Sequence, residues 1–256
     1  MKICVLSSGS KGNSTLITTS KTKILIDLGT TTSYVEKALE ELDIKAEEID
    51  AVFISHIHSD HIKGLKTFIK RYNPQIYVTE KLLGLLREEV GEFNYKLYED
   101  KKAVVEDLEI NIIKTSHDAG ESVGFIVTNE DKSIVHITDT GFINSKYHKQ
   151  LSNKNLYVFE SNHDIKMLRE GPYPYYLQQR VMGDKGHLSN NQSSKYLCEF
   201  IGNNTKKIIF AHISEHNNSE EKVLETFEKE LEKNGKKFNN VIVAKQNKCT
   251  EYMEVW

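Results

Sequence analysis

The sequence predicts an α/β domain built in layers. Short β-branched and apolar segments alternate with helical patterns from end to end. No repeat or low-complexity tract interrupts the alternation. A length of 256 residues is at the upper end of what one core organises, so a single domain spanning 1–256 is expected. Hydrophobic residues at 38% and charged residues at 28% match ordinary globular usage and argue against a disordered or fibrous chain.

Strands are predicted where Val, Ile, Leu and Phe cluster, at 2–6, 15–18, 23–27, 51–55, 75–78, 108–115, 123–128, 133–138, 156–160, 207–211, 241–244 and 250–255. The turn Asn129-Glu130-Asp131-Lys132 between two apolar runs predicts a hairpin. Helices are predicted at 33–42, 61–71, 80–90, 145–151, 164–170, 190–201 and 219–234. In the last of these, Val223, Leu224, Phe227 and Leu231 share one face while Glu and Lys fill the other, the pattern of a surface helix covering a sheet. The stretch 171–188 carries two of the three prolines and reads as a loop excursion suited to a lid or a substrate contact.

The apolar run at the start is too short for a secretory segment, and no window approaches the roughly 20 apolar residues of a membrane span. Cys4, Cys198 and Cys249 are odd in number and lack C-x-x-C spacing, which argues against a disulfide framework or a thiolate metal site. A cytoplasmic protein without membrane attachment is expected, with Cys4 buried in a strand. The net charge of −3 is not that of a non-specific nucleic-acid coat. Two divalent cations in one cleft would nonetheless dominate the local field.

The chemistry is concentrated after the fourth predicted strand. Ala51-Val52-Phe53-Ile54-Ser55 reads as a buried strand, and His56-Ile57-His58-Ser59-Asp60-His61 fills the junction before the next helix. His56 and His58, two apart, can converge on one ion, while Asp60 and His61 reach another. A polar surface loop or satisfied core histidines would explain a lone histidine. Three imidazoles and a carboxylate within six residues suit nitrogen- and oxygen-loving metals such as zinc or manganese, with iron also accommodated.

This run resembles the signature loop of the metallo-β-lactamase superfamily. The resemblance implies a four-layer αβ/βα sandwich, two mixed sheets face to face with helices outside. It extends to Asp27 in Ile24-Leu25-Ile26-Asp27, which matches the aspartate that buttresses the histidine loop. His117, Asp139 and His212 match the later metal-binding positions. The family pattern implies one ion held by His56, His58 and His117, and a second held by Asp60, His61 and His212, with Asp139 bridging. It implies activation of a bridging water to hydroxide, which Asp60 would help orient.

The superfamily covers many substrates, so other residues must choose among them. The 7–14 loop, the run Glu160-Ser161-Asn162-His163-Asp164 and the run Gly186-His187-Leu188-Ser189-Asn190 resemble the bacterial YycJ/WalJ group of exonucleases. That likeness implies cleavage of double-stranded DNA from 5′ to 3′ in a repair setting. A small-molecule phosphodiesterase or a thioester or glyoxalase-type hydrolase of the same fold is the alternative. The 7–14 loop lacks P-loop spacing; it is a plain turn or a phosphate contact through Ser10 and Asn13. His187 precedes a predicted helix and is the candidate general acid for the departing alkoxide, or else merely a neighbour of the helix cap. His163 is the second candidate, as acid, substrate contact or extra ligand. Tyr173, Tyr175, Tyr176, Arg180 and Lys185 are suited to stacking on bases and holding phosphates, or to packing as a hydrophobic lid. Asp139 and His212 are only 73 positions apart, which leaves no room for an inserted cap domain.

Overall fold

The computed structural model describes residues 1–256. Its strands are β1 (Lys2–Ser7), β2 (Ser14–Thr18), β3 (Lys23–Ile26), β4 (Ala51–Phe53), β5 (Gln75–Val78), β6 (Tyr95–Leu97), β7 (Lys102–Val105), β8 (Leu108–Lys114), β9 (Val123–Asn129), β10 (Lys132–Ile137), β11 (Leu156–Glu160), β12 (Lys207–Ala211), β13 (Val241–Val243) and β14 (Met253–Glu254). The helices are α1 (Thr32–Glu40), α2 (Ser59–Ile62), α3 (Leu65–Tyr72), α4 (Glu80–Val90), α5 (His148–Leu151), α6 (Ile165–Glu170), α7 (Tyr175–Met182), α8 (Asn190–Phe200) and α9 (Glu220–Lys233). The strands form two mixed seven-stranded sheets, ordered β14-β1-β2-β3-β4-β5-β6 and β13-β12-β11-β10-β9-β8-β7. By compactness the chain divides into two units, residues 1–112 with 127–132 and 245–256, and residues 113–126 with 133–244. No helix is long and apolar enough to cross a membrane.

In the first unit β1, β2 and β3 pair antiparallel, and β3 through β6 run parallel. Alternate strand residues, including Leu6, Leu16, Leu25, Val52 and Ile76, pack with Val35, Leu39, Phe68, Leu82 and Leu86 from α1, α3 and α4. Ile3, Ile17, Ile24, Ala51 and Phe53 on the other face are buried too. Burial on both faces is why these strands read as unbroken apolar runs. The Thr31 and Thr79 hydroxyls cap α1 and α4 by accepting the N–H groups of Tyr34 and Leu82.

In the second unit β10 through β13 are parallel, with His136 opposite Val158 and Phe159 opposite Phe210. Leu197 and Phe200 of α8 and Val223, Phe227 and Leu231 of α9 close over Tyr157, Phe159, Ile208 and Phe210. The apolar stripe predicted for 219–234 is thus the core face of α9, with Leu224 remaining exposed.

Several elements differ from the sequence reading. β6 and β7 were not anticipated, because Lys96 and Lys102 break the apolar pattern of these short strands. The predicted helix at 61–71 is two helices divided at Gly64. A Cβ there would lie 2.3 Å from the Thr30 carbonyl oxygen, and the Gly64 N–H instead bonds to the Leu28 carbonyl at 3.0 Å. The stretch 171–188 is not all loop; the uninterrupted run after Pro174 forms α7, with Pro174 at its N-cap where a missing N–H costs nothing. The strand predicted at 250–255 shortens to β14. Cys4 is buried in β1 as expected but is not isolated: its thiol donates to the Thr250 carbonyl at 3.2 Å. A hydrogen bond between Cys4 and Cys249 lowers the Cys249 thiol to about 7 and raises that of Cys4. All three thiols are free.

The turn that follows β3 leaves no space for a side chain at Gly29, where a Cβ would lie 1.6 Å from the Asp60 carbonyl oxygen and 2.7 Å from the Asn13 nitrogen. Gly29→Ala is expected to cost about 3 kcal/mol or more in urea unfolding, because backbone rather than a flexible side chain must yield. An unchanged unfolding midpoint would show that this close approach is not a constraint.

Candidate functional site

In the first unit β3 and β4 deliver a buried carboxylate to the loop that carries the histidines. Asp27 follows β3 with φ of 59°, in the left-handed region, and is 1% exposed. Its carboxylate accepts the Ser55 N–H at 2.8 Å, the Ser55 hydroxyl at 2.7 Å and His61 Nδ1 at 2.7 Å. His61 therefore carries its proton on Nδ1 and turns the Nε2 lone pair outward, the form a metal ligand needs. The ring centres of His56 and His61 lie 4.0 Å apart and those of His56 and His58 lie 4.8 Å apart. His56 is buried, whereas His58 and Asp60 at the start of α2 are half-buried. His61 Nε2 and Asp60 Oδ2 approach to 3.6 Å.

The 7–14 loop folds over this cluster. Ser10 is exposed on it, while Asn13 is 5% exposed with its amide turned inward. Asn13 Oδ1 accepts the Gly9 N–H at 2.8 Å, and Nδ2 lies 3.0 Å from the Gly9 carbonyl and 3.0 Å from His61 Nε2. The loop is itself braced from a distant segment, with the Gln246 amide donating to the Gly12 carbonyl at 3.0 Å and accepting the Lys11 N–H at 2.8 Å. Of the two residues expected to contact substrate from this loop, only Ser10 presents its side chain to solvent.

The second unit has its own cluster. His117 Nδ1 donates to the Gly186 carbonyl at 3.1 Å, leaving Nε2 as the available donor atom. Burial lowers the pKa of this imidazole. Asp139 and His212 follow the ends of β10 and β12 with φ of 54° and 55°. Asp139 Oδ1 lies 3.8 Å from His117 Nε2 and 3.5 Å from His212 Nε2. Asp139, Glu160, His187 and His212 each offer an atom within 4.8 Å of the others.

Glu160, quoted from the sequence only as part of the run Glu160-Ser161-Asn162-His163-Asp164 and given no role there, joins the second cluster. It ends β11 fully buried, and its Oε1 accepts His187 Nδ1 at 2.7 Å and His212 Nδ1 at 3.0 Å. Its Oε2 accepts the N–H groups of Thr140 at 3.0 Å and Leu188 at 3.1 Å. Burial alone would raise its pKa, but the facing charge of His187 and the imidazole hydrogen bonds outweigh burial and hold it at about 2. Beside that run, the sequence signal for it is a carboxylate closing the otherwise apolar strand Leu156-Tyr157-Val158-Phe159.

His163 sits close by at 1% exposure, with Nδ1 lacking a hydrogen-bond partner. Desolvation depresses its pKa to about 4, so it is neutral near pH 7. On α7, Tyr175 and Tyr176 are each 74% exposed, while Arg180 Nε donates to Asp118 Oδ2 at 2.5 Å. The donors gathered in the two units are imidazole nitrogens and carboxylate oxygens, and His61, His117 and His212 have Nδ1 occupied and Nε2 presented. That chemistry fits divalent transition metals.

Comparison with known proteins agrees with the donor chemistry. The family model described as the metallo-beta-lactamase superfamily matches residues 8–235. The chain is 36% identical over 228 residues to exodeoxyribonuclease WalJ of Streptococcus pneumoniae, covering 86% of this chain and 84% of that one. It is 31% identical over 239 residues to exodeoxyribonuclease YycJ of Bacillus anthracis, covering 90% and 89%. Among solved structures, the metallo-beta-lactamase fold protein YhfI from Bacillus subtilis superposes with a TM-score of 0.72 over 97% of this chain and 98% of that one, at 17% identity, a likeness of fold alone. The αβ/βα class read from the sequence therefore holds, and the chain belongs to the metallo-beta-lactamase superfamily of metal-dependent hydrolases.

Proposed function

We propose that the protein is a di-metal phosphodiesterase acting on nucleic acid, and that its substrate is double-stranded DNA degraded from the 5′ end. The geometric observation that carries the reaction type is Glu160, one buried carboxylate holding both His187 and His212 by their Nδ1 atoms. The polymer substrate is supported by the exodeoxyribonucleases that resemble the chain over most of their length.

His56, His58 and His117 would hold one divalent ion, Asp60, His61 and His212 the other, and Asp139 both. When bound, such a pair supplies an activated water and draws charge from the scissile phosphate. The chain's own part is to aim these donors and to manage the leaving group. Asp27 holds His61 in the Nδ1-protonated form, Gly186 does so for His117, and Glu160 does so for His212. His187 keeps its Nδ1 on Glu160 and retains 19% side-chain exposure, so its remaining nitrogen can deliver a proton to the departing oxygen. His163 is a poorer donor: it is sealed from solvent and neutral near pH 7. Ser10 and the exposed tyrosines of α7 are the candidates for contacting the polymer.

Digestion of end-labelled single- and double-stranded DNA and RNA, with manganese and zinc compared, tests this reading. Shortening of double-stranded DNA from its 5′ end is expected; survival of every polymer while small esters are cut would overturn it. His187→Ala should lower kcat on DNA by about 10² to 10⁴ with little change in DNA binding, and wild-type turnover would remove the proposed acid.

Protonation gives a separate check on His163. Its folded pKa of about 4 lies below the ordinary 6.5, so the unfolded chain takes up the proton first. Stability is full above pH 6.5 and falls by about 3 kcal/mol as pH drops toward 4. His163→Asn should flatten urea-unfolding stability across that window, and a slope equal to the wild type would contradict it.

A further inference from the structure

The loop that carries His117 and the helix α7 meet at an ion pair. Asp118 follows His117 directly; its Oδ1 lies 3.6 Å from His117 Nε2, and its Oδ2 accepts Arg180 Nε at 2.5 Å. One carboxylate therefore stands between an imidazole of the second cluster and a guanidinium. The side chains of Arg180 and Asp118 are 58% and 26% exposed, and a pair this open to water adds little to the stability of a fold.

Neither segment needs the pair to stay in place. The turn after α7 is held by backbone, with the His187 N–H donating to the Val181 carbonyl at 2.9 Å and the Gly186 N–H to the Gly183 carbonyl at 2.8 Å. A Cβ at Gly186 would lie 2.1 Å from the Val181 carbonyl oxygen, and one at Gly141 would lie 2.4 Å from that of Asp184, so the turn is seated against backbone. The His117 loop is closed by the Thr115 N–H on the Ser122 carbonyl at 3.0 Å and the Gly141 N–H on the Ser116 carbonyl at 2.9 Å. What the pair fixes is the direction of the guanidinium. Asp118 takes the Nε donor, which leaves the two Nη groups of the planar fork for a second anion. Tyr176, four residues before Arg180, shares its helix face and is 74% exposed. An open ring and an aimed fork thus follow one another along α7 toward His117, the first suited to a base and the second to a phosphate.

We infer that Arg180 grips a backbone phosphate of the DNA strand next to the one being cut, and that Asp118 is the positioning residue that aims its guanidinium. The inference rests on the proposed nuclease activity and names the part of the chain that holds the polymer. The phosphate is a neighbour of the scissile one because the Asp118 carboxylate separates the guanidinium from His117. Every nucleotide carries such a phosphate, so the contact acts on affinity and not on sequence.

The test is steady-state digestion of linear double-stranded DNA by the full chain, loaded with Mn²⁺, over a range of salt concentrations. Arg180→Ala should raise KM about tenfold and lower kcat by no more than about threefold. Its slope of log KM against log salt should fall by about 0.9, the share of one phosphate contact on duplex DNA. Arg180→Lys keeps the charge without the fork, so it should keep the slope while raising KM by less than Arg180→Ala does. Asp118→Asn should raise KM about threefold in the wild-type background and not at all when combined with Arg180→Ala, a coupling that a residue merely supporting the loop would not show. Lys206→Ala removes a cation before β12, at the end of that strand away from His212, and should leave KM and slope as they are. An Arg180→Ala enzyme with wild-type KM and salt slope, or with a loss confined to kcat, would overturn the inference and leave the nuclease reading standing. An Asp118→Asn effect that persists without Arg180 would overturn the positioning role. A wild type that cuts no DNA would overturn the nuclease reading and the inference with it.

Discussion

An imidazole that offers one nitrogen to a metal carries its proton on the other, and a partner accepting that proton fixes the tautomer and the direction of the ring. Most of the arrangement around the two clusters follows from that constraint. Each unit meets it with a carboxylate placed at the end of a strand and sealed from water: Asp27 after β3 and Glu160 at the end of β11. A buried carboxylate needs hydrogen-bond donors on both of its oxygens. Asp27 is satisfied by the backbone and hydroxyl of Ser55 along with His61, and Glu160 by two backbone N–H groups along with His187 and His212. The histidines thus stabilise the anions, and the anions fix the histidines. Removing either partner leaves the other in a low-dielectric interior with an unmet hydrogen bond.

The strand ends carry a second shared feature. Asp27, Asp139 and His212 all adopt left-handed backbone conformations, with φ between 54° and 59°. Side chains other than Gly reach that region at a cost of order 1 kcal/mol or more. The surrounding sheets hold them there: in the second unit β10 and β12 flank β11 in parallel register, with Phe159 opposite both Ile137 and Phe210. Packing within the core is therefore converted into side-chain direction at the strand ends, where the donors lie.

How much of this could be read from the sequence depended on how local each signal was. The run from His56 to His61 packs four donors into six residues, so its meaning is visible without a fold. Asp139 and His212 acquired meaning only through likeness to a family, because a lone aspartate or histidine at a strand end has many uses. Glu160 was visible as part of a resembling run, but its contacts were not, because its partners lie 27 and 52 positions away and a single carboxylate in an apolar run carries no spacing to recognise. Asn13 sat in a loop that was legible, but whether its amide pointed out or in depended on Asp60, 47 positions later. The helix α7 was masked by the prolines just before it, and the break at Gly64 by a backbone crossing that no periodicity reports. The core strands, buried on both faces, were the easiest elements to find.

The brace from Gln246 joins residues some 235 positions apart. During synthesis the serine-glycine loop leaves the ribosome early, while the amide that clamps it is made more than two hundred residues later. The Gln246 clasp therefore closes a loop that spans nearly the whole chain, so the conformational cost of holding residues 7–14 falls on the folding of the entire first unit rather than on the loop alone.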